Sequence, residues 1–249
     1  MPDDMRFPPS VSVARSTMIA QCSMMAVCVV LGLNPFPSPA QSPAPGNNRE
    51  VKGGVRLLLE NSQLRAHLVT LEGGETLDLA GVKPLLVVLL TPSASASLGG
   101  GKAAAVVRMD QQVAWSDAPF RSLRSTGGGR AEFLAIELLR DAPPRKGPPG
   151  DEHATRVAPD IYRLIFENDR LRVIDVHILP GQGSVMHTHD GLDFRYPLMS
   201  GDLKLVEPDG TTKPVALRAG TPRWEEPPSR HTMANVGNTE VRLVLVELK

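Results

Sequence analysis

"YRLIFENDRLR", residues Tyr162 to Arg172, has a counterpart 107 residues earlier in "VRLLLENSQLR", Val55 to Arg65. Glu60, Asn61, Leu64 and Arg65 recur as Glu167, Asn168, Leu171 and Arg172. Gly74 and Gly181 keep the same offset. Further along, "AWSDAPFRSLRSTGG" matches "RWEEPPSRHTMANVG", with Trp115 and Trp224 standing 109 apart, and the closing runs "AEFLAIELL" and "EVRLVLVEL" also correspond. An offset that drifts by two or three residues is what small changes in turn length leave after a duplication. The chain therefore writes one domain twice.

Each copy reads as β. "RLRVIDVHI", "FRYPLMS", "DLKLVE", "TKPVALR" and "VRLVLVEL" are short runs rich in Val, Leu and Ile, separated by turn signals at "PGQG", "SGD", "EPDGTT", "RAGTP" and "NVGNT". Short strands at that spacing predict a sandwich or a barrel closed on itself. "RAEFLAIELLR" could form a helix on propensity, but its counterpart "VRLVLVEL" is rich in β-branched residues and draws the pair toward strand.

The 27 Lys and Arg balance 27 Asp and Glu, so nothing in the net charge steers the protein to nucleic acid or an anionic membrane. A small-molecule ligand or substrate is the expected partner, and a homodimer is compatible with the sequence. "MIAQCSMMAVCVVLGL", Met18 to Leu33, is apolar, follows Arg6 and Arg15, and gives way to small residues at Ser38 and Ala40. Residues 1–40 read as a secretory signal with cleavage near Ala40, or alternatively an uncleaved anchor, and predict a periplasmic or secreted protein. Cys22 and Cys28 both fall in this leader, so the mature chain would have neither thiol nor disulfide. A Pro-rich linker at 41–50 and a second, Pro- and Gly-rich one at 142–157 bracket a first domain over 51–141 and a second over 158–249.

The chemistry concentrates in the second copy. Alternation in a strand puts His187 and His189 on one face. His231 follows some forty residues on, with Pro227 and Pro228 just upstream and Asn235 just after. A lone strand histidine is usually a core or surface residue; two at this spacing with a third further on are a metal-site pattern, because neutral imidazoles suit Zn, Fe, Ni, Cu or Mn.

Gly181, His187, His189, Asp193 and Gly201, followed by His231, resemble the two motifs of the cupin superfamily, over Tyr162 to Lys249. The first copy joins through the internal repeat, so the whole resembles a bicupin with a degenerate N-terminal half. The resemblance implies an all-β fold of two tandem small jelly-roll barrels. It also implies a divalent transition metal held by His187, His189 and His231, with a carboxylate as fourth ligand. Six intervening residues before Gly201 reach Phe194, and three after His189 reach Asp193. Asp193 is thus the candidate carboxylate. Alternation with Phe194, Tyr196 and Leu198 turned inward would face it away, unless a bulge at Gly191 reverses the order.

Phe194, Tyr196, Trp224 and Asn235 complete the candidate pocket. Trp224 has a repeat partner in a copy without site histidines, which favours a structural role; Asn235 is expected to fix the turn after its strand. Arg195 and Arg230 read as solvated, and His67, His153 and His177 as ordinary. At the repeat offsets His187, His189 and His231 fall on Ala80, Val82 and Ser122, so the first copy has lost the metal pattern and should serve by packing its sheet on the second. Its "SASASLGGGK" loop, Ser93 to Lys102, lacks the ending of a phosphate-binding loop and reads as a hairpin tip. Three functions stay open: a metal-dependent enzyme on a small polar molecule, a non-catalytic binding or sensing module, and a structural bicupin without metal. Metal affinity should fall as pH drops through about 6 to 6.5.

Overall fold

The computed structural model describes residues 54–79, 85–91, 94–100, 107–108, 113–116, 120–139, 149–225 and 230–249. The leader, the first linker, Ala80, Val82, Pro227, Pro228 and residues 93, 101, 102 and 142–148 lie outside the described residues. The stretch expected to be a hairpin tip is instead a strand over Ala96–Gly100, paired antiparallel with Phe120–Ser125 and Val107–Arg108, because Ala96 and Leu98 alternate into the core of the first barrel.

Two copies of one β architecture follow each other. In the first, β1 (Val55–Glu60), β2 (Leu64–Leu71), β4 (Leu85–Leu89), β7 (Val113–Ser116) and β9 (Ala131–Leu138) form a sheet ordered β1-β2-β9-β4-β7. In the second, β10 (Tyr162–Glu167), β11 (Leu171–Ile178), β12 (Leu192–Pro197), β15 (Arg223–Glu225) and β17 (Val241–Leu248) are ordered β10-β11-β17-β12-β15. Position for position the two orders coincide. Each large sheet is faced by a smaller one. The first is β3 (Thr76–Asp78), β8 (Phe120–Ser125), β5 (Ala96–Gly100) and β6 (Val107–Arg108), ordered β3-β8-β5-β6. Its counterpart is β14 (Thr212–Leu217), β13 (Gly201–Val206) and β16 (Thr232–Asn235), ordered β14-β13-β16. All pairings between named strands are antiparallel, as a jelly roll requires. Ala131–Leu138 is strand, as its β-branched counterpart predicts.

The repeat survives in detail. Asn61 Oδ1 accepts from the amides of Gln63 and Leu64, and Asn168 Oδ1 does the same for Arg170 and Leu171, so one Asx turn closes both first hairpins. A register shift between Leu57 and Leu59 has its twin between Leu164 and Phe166. Gly74 and Gly181, at φ 84° and 75°, supply the same left-handed turn residue. The one helix among the described residues, α1 (Ala154–Val157), precedes β10. Here the structure departs from the expected linker: residues 150–157 fold against the second barrel, where Ala154 is fully buried and its amide donates to Thr188 O at 3.1 Å. The Pro and Gly content that reads as a linker belongs to its first half, while "HATRV" carries the packing.

Each barrel has its own core, and a third lies between the large sheets. Leu64, Ala66, Leu86, Leu134 and Ile136 of the first half pack there with Leu171, Val173, Phe194, Tyr196 and Val246 of the second, flanked by Trp115 and Trp224. This corrects the expected parity of β12. Alternation holds, but Phe194 and Tyr196 leave the barrel for the shared core, and Asp193 and Arg195 point inside. In a lone barrel an aromatic belongs inside; in a paired one the outer face of the sheet is equally dry. Phe194 has no exposed surface. Phe194→Ala should therefore cost about 3–5 kcal/mol, read as a lower urea midpoint at unchanged slope.

Candidate metal centre

His187 and His231 pair across the barrel. His187 N donates to His231 O at 2.9 Å and His231 N returns the bond to His187 O at 2.9 Å. This antiparallel bridge joins the segment before β12 to the residue preceding β16 and sets the two imidazoles edge-on, with centroids 4.5 Å apart and planes at 61°. His189, two residues on, projects to the same side, 5.2 Å from His187 and 5.5 Å from His231 by ring centroid. One ligand atom from each of the three falls within 4.8 Å of the others, and all three residues are buried.

The bonding prepares these rings as ligands. His187 Nδ1 lies 2.9 Å from Val185 O, an acceptor only, so Nδ1 carries the proton and Nε2 keeps its lone pair. That Nε2 is buried with no hydrogen-bond partner, and so is His189 Nδ1. Leaving such atoms unmatched costs about 1–3 kcal/mol each, a cost that a coordinated ion would remove. Burial holds the His187 imidazole below its ordinary 6.5, against the Val185 carbonyl, which favours the proton. His189 lies well below 6.5 through burial, then the positive charge of Arg195 and the neighbouring histidines. Both rings are neutral at pH 7, the form that binds a metal.

Asp193 stands beside the cluster. Its Oδ2 is 3.9 Å from His189 Nδ1 and accepts from Arg195 Nη2 at 2.8 Å, while Oδ1 is buried without a hydrogen-bond partner. Burial raises its pKa to about 6, more than Arg195 lowers it. Arg195 is not a solvated residue as the sequence suggests: it is 8% exposed and bound by Asp193 and, at 3.0 Å, by Glu225. Burial acts to lower its pKa, but the two carboxylates outweigh this and hold it charged. The outward parity expected for Asp193 and Arg195 is thus reversed, with no need of a bulge, because the shared core claims the other face.

Of the remaining pocket candidates, Phe194, Tyr196 and Trp224 belong to the inter-barrel core. Asn235 closes a turn, as expected, donating from Nδ2 to Ile178 O and Thr239 O at 3.0 and 2.8 Å and accepting from Gly237 N at 3.0 Å. Ser122, the first copy's counterpart of His231, pairs with Asp78 on β3. The residues that do line the chamber beside His189 and His231 include Tyr162, Arg195, Arg223 and Glu225 among apolar neighbours such as Leu203 and Met233. Tyr162 packs its ring 4.7 Å from that of His187, and burial pushes its phenol up to about 12. Position 162 is visible in sequence only as the one repeat position where the first copy has Val55.

His153 is the residue that sequence spacing misses. It has no exposed surface, caps α1, and its ring lies 6.1 Å from that of His189. Its Nδ1 accepts from Thr155 N at 3.2 Å, so Nε2 carries the proton and donates to Glu247 Oε2 at 2.8 Å. His153, His189 and Glu247 also bring ligand atoms within 4.8 Å of one another. Yet a metal there would have to displace the proton that His153 Nε2 gives to Glu247 Oε2, and the other oxygen, Oε1, is already held by Arg172 at 2.8 Å. The group is a hydrogen-bonded support, and the three-histidine set is the metal candidate. Around it, Thr188 N donates to Glu152 O at 2.9 Å, and Arg230 holds the Glu152 carboxylate through two bonds of 2.9 and 3.0 Å. Residues 152–154 therefore tie together both histidine-bearing segments.

No sequence family model matches the chain, and no curated protein does. Solved structures do match. AerE from Microcystis aeruginosa aligns over 78% of this chain and 91% of its own, at 9% identity and a TM-score of 0.58. Oxalate decarboxylase from Lactobacillus farciminis, in a formate complex, aligns over 81% of this chain and 83% of its own at 12% identity and a TM-score of 0.56. A cupin domain from Bordetella pertussis Tohama I covers 36% of this chain and 92% of its own at 26% identity, but its TM-score of 0.34 leaves the fold comparison to the longer alignments.

The Arg172–Glu247–His153 network is closed to solvent, whereas its repeat twin Arg65–Glu137 is open, with side-chain exposures of 37% and 19%. Glu247→Ala leaves Arg172 its Glu167 partner but strips a buried acceptor from both Arg172 and His153, at about 1–3 kcal/mol for each donor left unmatched, whereas Glu137→Ala should cost no more than about 1 kcal/mol. Chemical denaturation of the two variants measures the difference.

Proposed function

For a chain with the bicupin fold, we propose that the C-terminal barrel binds one divalent transition metal through His187, His189 and His231, with Asp193 as the neighbouring carboxylate, and serves a metal-dependent enzyme acting on a small polar molecule. One observation carries this: three buried imidazoles from two distant segments bring ligand atoms within 4.8 Å of one another, with the His187 tautomer fixed so that Nε2 is the available donor. The donor set suits Zn, Fe, Mn, Ni or Cu, and fits the group on the chemistry of three neutral nitrogens. Such a metal would supply Lewis-acid or redox activation of a bound molecule.

The chain's own residues set what could enter. The chamber beside His189 and His231 has a volume of about 30 Å³, room for a few waters or a ligand of a few heavy atoms. Arg195 offers guanidinium N–H donors there and Tyr162 a phenol that stays protonated at neutral pH; both favour an oxygen-rich, polar ligand. The apolar remainder of the wall excludes bulk water. The apolar stretch before Ala40 supports export to the periplasm or beyond, ahead of the two barrels.

Elemental analysis of the purified chain, beside a His187→Ala, His189→Ala double variant, tests the centre. Close to one metal per wild-type chain and loss of nearly all of it in the variant is the expected result; equal metal in both would contradict the reading. A second expectation concerns pH. Because burial lowers His187 and His189 below 6.5, protons compete with metal only under that value. Affinity should stay level from pH 7.5 down to about 6.5 and fall only below it, measured with a competing chelator of known pH dependence.

A further inference from the structure

The first barrel contains a cavity of about 520 Å³ lined by Val55, Leu57, Val69, Leu77, Leu79, Leu85 and Ala135, with Arg65, His67, Asp78 and Glu137 as its polar members. That volume is typical of a site for a small organic ligand. The second barrel explains why the space exists, since the repeat allows residue-by-residue comparison. Thr70 N donates to Gly54 O as His177 N donates to Ile161 O, which sets Gly54 against Ile161. In the same way Val55 answers Tyr162, His67 answers Ile174, and Ala135 answers Leu245.

Ile161, Tyr162, Ile174 and Leu245 pack together with Ala154 into the core of the second barrel. Each counterpart in the first barrel is smaller or more polar. At the positions offset by 107 from His153, Ala154 and Val157 the sequence has Gly46, Asn47 and Glu50, none with an apolar side chain. Where the second barrel has an apolar plug, the first has a chamber.

The polar end of the chamber has a definite sign. Among the charged residues lining the chamber two carboxylates, Asp78 and Glu137, face one guanidinium, Arg65, which is itself divided between Glu137 at 3.1 Å and the exposed Glu60, outside the lining, at 2.9 Å. His67 is held below its ordinary 6.5 by burial and then by Arg65, so its imidazole is neutral and can exchange hydrogen bonds with a ligand.

We propose that the N-terminal barrel is a second, metal-independent binding site for a small amphipathic amine, its apolar body among Val55, Val69, Leu77 and Ala135 and its ammonium at Glu137 and His67. The half that lacks the metal histidines would then be a binding compartment rather than a mere packing partner.

Calorimetry on the full chain with 4-phenylbutylamine, 4-phenylbutanol and 4-phenylbutyrate tests this. The amine should bind with the same affinity before and after chelation of metal, and roughly tenfold or more above the carboxylate. Ala135→Leu and, separately, His67→Ile restore the residues of the second barrel and should each weaken the amine by roughly tenfold or more, with a β-sheet circular dichroism spectrum equal to wild type as evidence that the chain still folds. Failure of all three probes to bind, equal affinity for amine and carboxylate, loss of amine binding on chelation, or unchanged binding in both filled variants would each overturn the proposal. None of these outcomes depends on the metal reading of the other barrel.

Discussion

Two hydrogen bonds between the backbones of His187 and His231 bring together residues 44 apart in sequence. The geometry of the metal centre follows from that contact. It orients the two rings onto one side, and strand alternation adds His189. The strap at residues 152–154 grips both segments from outside through Thr188 and Arg230. The backbone is fixed before any ion arrives, so the imidazoles do not need to be ordered by it. Preorganisation of this kind lowers the entropic cost of coordination.

The same fold yields two chemically different interiors from one plan. On the inner face of the strand before the closing turn, the second barrel places Asp193 and Arg195 opposite Glu247 and Leu245. Leu85 and Val87 occupy the matching places in the first, opposite Glu137 and Ala135. One half therefore surrounds its histidines with a charged wall, and the other keeps an apolar wall around an open cavity. The Arg–Glu pair at the barrel end is common to both, yet only the second is sealed, by His153 and α1.

Much of this is legible in the sequence, for physical reasons. Strand periodicity and turn residues announce the β fold, and the constant offset from Val55 and Tyr162 announces the duplication, because hairpins conserve register. His187, His189 and His231 stand out because a metal needs several of one rare residue type in fixed spacing. The inward parity of Asp193 was not legible. Alternation fixes which residues share a face but not which face is the barrel interior, and the usual guide, that aromatics point inward, fails when the outer face is buried against a second barrel. Phe194 and Tyr196 obey hydrophobicity while reversing the geometry. His153 was hidden for another reason: it reaches the site from the far side of a Pro-rich stretch, 94 residues from Glu247, with no local pattern to mark it.

X-ray absorption at the metal edge of the zinc-loaded chain examines the convergence of the three imidazoles directly. A first shell containing three imidazole nitrogens at about 2.0–2.1 Å, with the multiple scattering of rigid rings, is the result this account requires. A shell made of oxygen donors, or one with fewer than three imidazoles, would contradict it.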